Sequence, residues 1–120
     1  MTQHSDYRWV TDFTRLVEIA QRPGSGLTCV PLTNSDLPAV VETEAYEALR
    51  EMGFPARWNF NASKAGRGYI KAHLSGYATL SVARFIHPNP PKEFRVDFRN
   101  GESRDLRRAN VEIVRTRRTV

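Results

Sequence analysis

Residues 96–111 have the sequence VDFRNGESRDLRRANV, and this stretch decides the fold of the C-terminal part of the chain. Residues 94–98 alternate between apolar and polar side chains, which predicts a strand. The dipeptide Asn100-Gly101 is a strong turn signal, residues 105–110 favour a short helix, and residues 111–114 extend again. The stretch therefore predicts a strand, a turn and a helix, followed by a further extended segment.

The same stretch resembles the centre of the phage-type HNH homing endonucleases, which belong to the His-Me finger proteins. Weaker motifs of that family precede it in the family's order, namely residues 30–33, residues 39–42, Tyr46, Trp58, residues 68–69 and residues 83–86. The resemblance covers residues 28–114 and leaves residues 1–26 outside. It implies a degenerate ββα unit at the C-terminal end and a DNA-processing ancestry.

The resemblance also shows where the chain departs from nuclease chemistry. Phe98 occupies the position of the family's histidine, which serves as general base, and a phenyl ring cannot accept a proton. Asp97 falls at a metal-binding aspartate, Asn110 falls where an asparagine orients the histidine, and Thr119 stands where related enzymes have a further asparagine. The resemblance therefore implies a pseudo-nuclease with no catalytic residue, no metal site and no cofactor. An active nuclease with a rearranged metal site is the alternative.

Length and composition bound the architecture. With 120 residues and 40% hydrophobic content, we expect one α+β domain at residues 27–120, preceded by a helix and linker at residues 1–26. The apolar runs are too short to cross a membrane and the N-terminus has no signal pattern, so we expect a soluble, cytoplasmic protein. The single cysteine, Cys29, excludes an intrachain disulfide and is expected to be a small apolar residue in a strand.

Hydrophobic periodicity predicts the remaining elements. The spacing of apolar residues predicts an amphipathic helix at residues 6–22, followed by strands at residues 27–32 and 39–41. A second helix is predicted at residues 43–52, with Gly53 as its left-handed cap. Three further strands should form a small antiparallel sheet, and they comprise residues 56–62, 68–74 and 78–86. On this sheet we expect Trp58 and Phe60 to face the core.

Charge is divided unequally between the two halves of the chain. Residues 1–63 carry 5 Lys+Arg and 8 Asp+Glu, a net charge of −3, whereas residues 64–120 carry 13 and 5, a net charge of +8. A basic half of this size attracts a polyanion such as duplex DNA. The alternative interpretation is a solvated basic surface with no polyanionic ligand.

Basic and amide side chains of the sheet and the motif are the predicted DNA contacts. A similar sheet in plant ethylene-responsive-type domains binds the major groove. The predicted DNA-binding residues are Arg57, Asn59, Asn61, Lys64 and Lys71 on the sheet, and Arg95, Arg99, Arg104, Arg107, Arg108, Arg115, Arg117 and Arg118 around the motif and in the tail. The alternative use of these arginines is solubility and ion pairing with Asp97, Asp105 and Glu112, in which Arg107 or Arg108 is the expected partner of Asp105.

The sequence leaves three functions open. We expect a catalytically inactive phage or prophage protein that binds duplex DNA at the bacterial nucleoid, with transcriptional regulation as one use of this binding. The second function is that of a phage effector that binds and inhibits a host protein or defence complex, which the acidic first half and the additional amphipathic helix keep open. The third is metal-dependent DNA nicking. If the apolar face of the N-terminal helix is exposed, it would hold a partner or form a homodimer.

Overall fold

Short helices and small antiparallel sheets form an α+β structure, as predicted. The computed structural model describes residues 12–62, 68–74, 79–86 and 94–115. The elements in chain order are α1 (Phe13–Ala20), β1 (Leu27–Val30), β2 (Ala39–Glu42), α2 (Thr43–Glu51), β3 (Asn59–Ala62), β4 (Gly68–His73), β5 (Thr79–Ser81), α3 (Val82–Ile86), β6 (Phe94–Phe98) and β7 (Val111–Arg115). Within these ranges no helix is both long and apolar enough to span a membrane.

Helix α1 is part of the folded domain. Asp12 is extended (φ −77°, ψ 111°) and caps the helix by accepting a hydrogen bond from a backbone N–H of the first turn. The predicted helix at residues 6–22 is therefore too long, because the helix begins at Phe13; residues 1–11 lie outside the described ranges. Phe13 and Leu16 are buried against Val40 of β2. These two side chains consequently stabilise the domain and are not available to a partner.

The first hairpin and α2 follow the sequence prediction closely. Strands β1 and β2 are antiparallel, with Leu27 opposite Glu42 and Val30 opposite Ala39. Helix α2 ends at a C-cap followed by Gly53 in the left-handed region (φ +100°), where a side chain is strained. Cys29 is partly buried in β1, and this burial raises the pKa of its thiol. Its predicted role as a small residue in a strand is confirmed.

The main core forms around Trp58, which is fully buried. Its indole Nε1 donates to the carbonyl oxygen of Pro55 at 3.0 Å, and its ring lies 5.8 Å from that of Tyr46. Phe60 is partly buried and packs against the same core. The prediction that both rings face the core is confirmed.

Strands β3, β4 and β5 form the predicted three-stranded antiparallel sheet, in the order β3-β4-β5. The predicted strand at residues 78–86 is wrong beyond Ser81, because α3 begins at Val82. In a strand, Val82, Arg84 and Ile86 would share one face and place a charge among apolar side chains. The helix instead buries Val82 and Ile86 and leaves Arg84 exposed.

The C-terminal unit is a pair of antiparallel strands joined by a long loop. Strand β6 pairs with β7, with Asp97 opposite Glu112 and Phe98 opposite Val111. The predicted helix at residues 105–110 is wrong, since these residues form a loop with turns. A ββα unit is therefore not confirmed. Side chains of this loop and the backbone of β2 bind several of its backbone groups, and the i→i−4 hydrogen bond from the N–H of Val111 to the carbonyl of Arg107 is not continued into a helix.

Candidate nucleic-acid interface and the motif loop

Residues 99–110, called the motif loop below, are built around one buried ion pair. Asp105 has no solvent exposure and Arg107 is 5% exposed. The guanidinium donates from Nε to Oδ1 at 2.8 Å and from Nη2 to Oδ2 at 2.6 Å, which is the two-pronged geometry that suits a carboxylate. The amide of Asn100 donates to the same Oδ2 at 2.8 Å. The prediction that Arg107 or Arg108 pairs with Asp105 is confirmed for Arg107.

Asn110 closes the motif loop through its side-chain amide. Its Oδ1 accepts from the backbone N–H of Asn100 at 3.0 Å, and its Nδ2 donates to the backbone oxygen of Asp105 at 2.9 Å. The backbone N–H of Arg99 also donates to the Asn110 carbonyl at 2.9 Å. Because it is buried and bonded through both ends of its amide, Asn110 has a structural function in this loop.

The motif loop is attached to β2 through hydrogen bonds to its backbone and to the Glu42 side chain. The N–H of Val40 donates to the carbonyl of Arg104, and the N–H of Leu106 donates to the carbonyl of Val40, both at 2.8 Å. The N–H of Arg108 lies 3.0 Å from both carboxylate oxygens of Glu42. Leu106 is fully buried in the core. The loop is thus held in place at both its polar and its apolar residues.

Phe98, at the position of the family's histidine, packs against the main core. Asp97 accepts a hydrogen bond from the Phe98 N–H at 3.1 Å, and a cleft of about 400 Å³ lies beside them. The apolar wall of this cleft is formed by Phe60, Val96 and Phe98. Within the described ranges, no three His, Cys, Asp or Glu side chains converge in a way that could hold a metal ion.

Arg95, which lies in β6, and Arg99, which directly follows it, are each close to a carboxylate. Arg95 lies 3.7 Å from Asp97, and Arg99 lies 3.4 Å from Glu112. All four side chains are at least one third exposed, so each pair contributes about 0–1 kcal/mol to stability. The pairs nevertheless neutralise the charge that this hairpin presents. This is the ion-pairing alternative that the sequence left open.

Arg104 is committed to contacts within the protein. Its guanidinium donates from Nε to Glu102 at 2.8 Å and from Nη1 to the Ser35 hydroxyl at 2.7 Å. The same group lies 5.7 Å from the ring centroid of Phe13 and 5.1 Å from that of Phe60, which are cation–π distances. It therefore joins α1, the β1–β2 connection, the sheet and the motif loop.

The other predicted basic contacts fall in three groups. Arg107 is buried, and the guanidinium of Arg108 donates to the carbonyl of Ile86 at 3.3 Å. Arg115 is exposed at the end of β7. Lys64, Arg117 and Arg118 lie outside the described ranges. The motif arginines are therefore divided between internal contacts, made by Arg104, Arg107 and Arg108, and the exposed pairs of the β6–β7 hairpin.

The outer face of the three-stranded sheet collects polar side chains, whereas its inner face carries Phe60, Ile70 and Ala72. Cross-strand pairs place Asn59 beside Lys71, and the exposed Arg57 precedes β3. The outer face consists of Asn59, Asn61, Tyr69, Lys71, His73, Thr79 and Ser81. The three strands contain no carboxylate. Sequence reasoning did not include Thr79 and Ser81, although strand register with β4 would have found them.

Hydrogen bonds from neighbouring residues fix the amides of β3. The hydroxyl of Thr33 donates to Oδ1 of Asn59, and Nδ2 of Asn61 donates to the Tyr69 hydroxyl at 2.8 Å. The side chain of Asn34 binds the backbone of β3 at the residue between the two, accepting from its N–H at 2.8 Å and donating to its carbonyl. The edge of β3 is thereby held as if by another strand.

Gly68 makes room for the ring that supports this edge. A Cβ at Gly68 would lie 2.5 Å from Cε1 and 2.6 Å from Cζ of Phe60. The Phe60 ring also makes a second contact, because the guanidinium of Arg104 lies over it. The absence of a side chain at Gly68 therefore determines where Phe60 and the motif loop sit.

Comparison of the chain with protein-family models, curated proteins and solved structures finds no significant match. The resemblance of residues 96–111 to the HNH family therefore stays a prediction from the motif.

Proposed function

We propose that this protein binds duplex DNA through the outer face of its three-stranded sheet, as a catalytically inactive relative of the phage HNH nucleases. The observation that carries the proposal is the composition of this face, where amides, hydroxyls, a histidine and Lys71 stand together without a carboxylate. Such groups suit the phosphates and base edges of DNA.

The size of the sheet fits the major groove. Three strands spaced about 4.8 Å apart give a sheet about 10 Å across, and the major groove of B-DNA is about 12 Å wide. Sheets and two-stranded ribbons are known to enter this groove. The ion-paired hairpin, the buried Arg107 and the internally bonded Arg104 leave the sheet as the better candidate surface.

Two side chains of residues 96–111 support the inactive state. Phe98 offers no group that can accept a proton, and its ring belongs to the core. Asn110, which by resemblance would orient a base, is bonded through both ends of its amide to the loop backbone. The motif thus serves to close a loop in this chain.

The test is fluorescence anisotropy of the full chain with a random duplex, in EDTA, at salt concentrations from 50 to 200 mM. We expect affinity to fall steeply with salt and to be unchanged when Mn²⁺ replaces EDTA, with no nicking of a supercoiled plasmid. Lys71→Gln should reduce the slope of log K against log salt by about 0.9, the value for one phosphate contact. Arg22→Gln, an exposed site after α1 with the same charge change, is the matched control.

Two outcomes would contradict the proposal. Absence of binding at 50 mM salt would exclude duplex DNA as the ligand. Equal slopes for the Lys71→Gln and Arg22→Gln variants would show that binding, if present, does not use the sheet. Mn²⁺-dependent nicking that is lost in Asp97→Ala would instead support the nuclease with a rearranged metal site.

A second candidate function, binding of a basic host protein, is favoured by one feature of α2. Glu44, Glu47 and Glu51 follow the i, i+3, i+7 spacing of one helix face, are exposed, and form no ion pair with another described residue. Glu47→Lys should abolish capture of such a protein and leave DNA affinity equal or higher. If Glu47→Lys lowers DNA affinity, the two surfaces are not independent.

A further inference from the structure

The two asparagines of β3 are arranged for base recognition. We infer, resting on the proposed function, that Asn59 and Asn61 each recognise an adenine in the major groove, at positions two base-pair steps apart. Asparagine pairs with adenine by accepting from N6 and donating to N7. Residues i and i+2 of a strand lie on one face about 6.8 Å apart, and two steps of B-DNA also rise about 6.8 Å.

Asn59 keeps the atoms that this pairing needs. The Thr33 hydroxyl occupies one of the two acceptor sites on Oδ1, so that the second acceptor site and both hydrogens of Nδ2 stay available. The orientation of the amide is fixed before DNA binds. Fixing a side chain in advance lowers the entropy lost on binding and so favours a specific contact.

The Asn61 side chain is fixed through its donor nitrogen, whereas that of Asn59 is fixed through its acceptor oxygen. Nδ2 of Asn61 donates one hydrogen to Tyr69, which leaves the second hydrogen and both acceptor sites of Oδ1. The Asn34 side chain clamps the backbone of the residue between the two asparagines, and this keeps the spacing of the two amides constant. Lys71 lies over the ring of Tyr69 at 5.3 Å and supplies charge without base specificity.

The experiment begins with enrichment of duplexes from a randomised pool by the full chain in EDTA. The enriched site should contain two adenines on one strand separated by one base pair. Binding is then measured on this site and on two duplexes in which 7-deazaadenine, which lacks the N7 acceptor, replaces one adenine or the other. Each replacement should weaken binding by the wild-type chain. In the Asn61→Ala variant, replacement of the adenine that Asn61 contacts should not weaken binding further.

The variants separate base recognition from general affinity. Asn59→Ala and Asn61→Ala should each lose about 5- to 100-fold in affinity for the enriched site, the worth of one bidentate contact, and change little on random DNA. Gln21→Ala removes an exposed amide that follows α1 and is not part of the sheet, and it should match the wild type.

The outcomes distinguish this inference from the proposed function. Salt-dependent binding with no enriched sequence, or an enriched site whose affinity is unchanged by 7-deazaadenine, would overturn the adenine assignment and leave DNA binding in place. Absence of binding to any duplex would contradict both the adenine assignment and the proposed function.

Discussion

Replacing Arg107 by methionine removes the cationic partner of Asp105, a carboxylate without solvent exposure. Methionine keeps much of the volume of the side chain but makes neither of the two guanidinium hydrogen bonds, of 2.8 and 2.6 Å. The carboxylate then retains the amide of Asn100 and the backbone N–H of residue 107 as donors. It becomes a buried charge with no counter-charge.

The size of the effect follows from these contacts. Hydrogen bonds to charged groups contribute about 1.5–3 kcal/mol each, and removing one member of a buried ion pair costs about 3–5 kcal/mol. We expect the free energy of unfolding to fall by about 3–5 kcal/mol, a large part of the roughly 5–15 kcal/mol typical of a domain. With about 2.1 cal/mol/K of unfolding entropy per residue, the 120-residue chain should lose about 12–20 °C in Tm.

Urea unfolding followed by circular dichroism measures this change, with the m-value as a check that the unfolded states are comparable. The matched control is Arg99→Met, the same substitution in an exposed pair with Glu112 at 3.4 Å, which should cost about 1 kcal/mol or less. Equal effects of the two substitutions, or a loss below about 1 kcal/mol in Arg107→Met, would refute the assignment of Arg107 to a buried structural pair.

Two further predictions concern packing and chemical reactivity. Gly68→Ala should destabilise the chain by about 1–3 kcal/mol, because the new Cβ meets the ring of Phe60, and Phe60→Leu should recover part of the loss; additive effects in urea unfolding would argue against this contact. Cys29 should react with iodoacetamide more slowly in the folded chain than in urea, since burial raises the pKa of its thiol and lowers the thiolate fraction; equal rates would contradict that burial.

The pattern of apolar and polar residues within a segment predicted its secondary structure where the segment packs against a single neighbouring element. The strand predicted at residues 68–74 corresponds to β4, and the left-handed Gly53 after α2 was expected from its position at the end of an apolar periodic segment. Local patterns failed at residues 82–86, where a short apolar run suits either a strand or a helix. The contact of this run with the core favoured the helix, and that contact is not visible in the run itself.

Some features of the candidate site also followed from the sequence, whereas others depended on the tertiary structure. The sequence by itself determined that Asn59 and Asn61 share one face of their strand, because side chains alternate along a strand whatever surrounds it. The register of β3 with β4, which places Lys71 beside Asn59 on that face, came from the tertiary structure. The sequence did not determine the role of the arginines in residues 96–111, since a guanidinium suits a phosphate and a carboxylate equally. Only the tertiary structure decided this, by docking the motif loop on Val40 and burying Asp105 in an ion pair with Arg107.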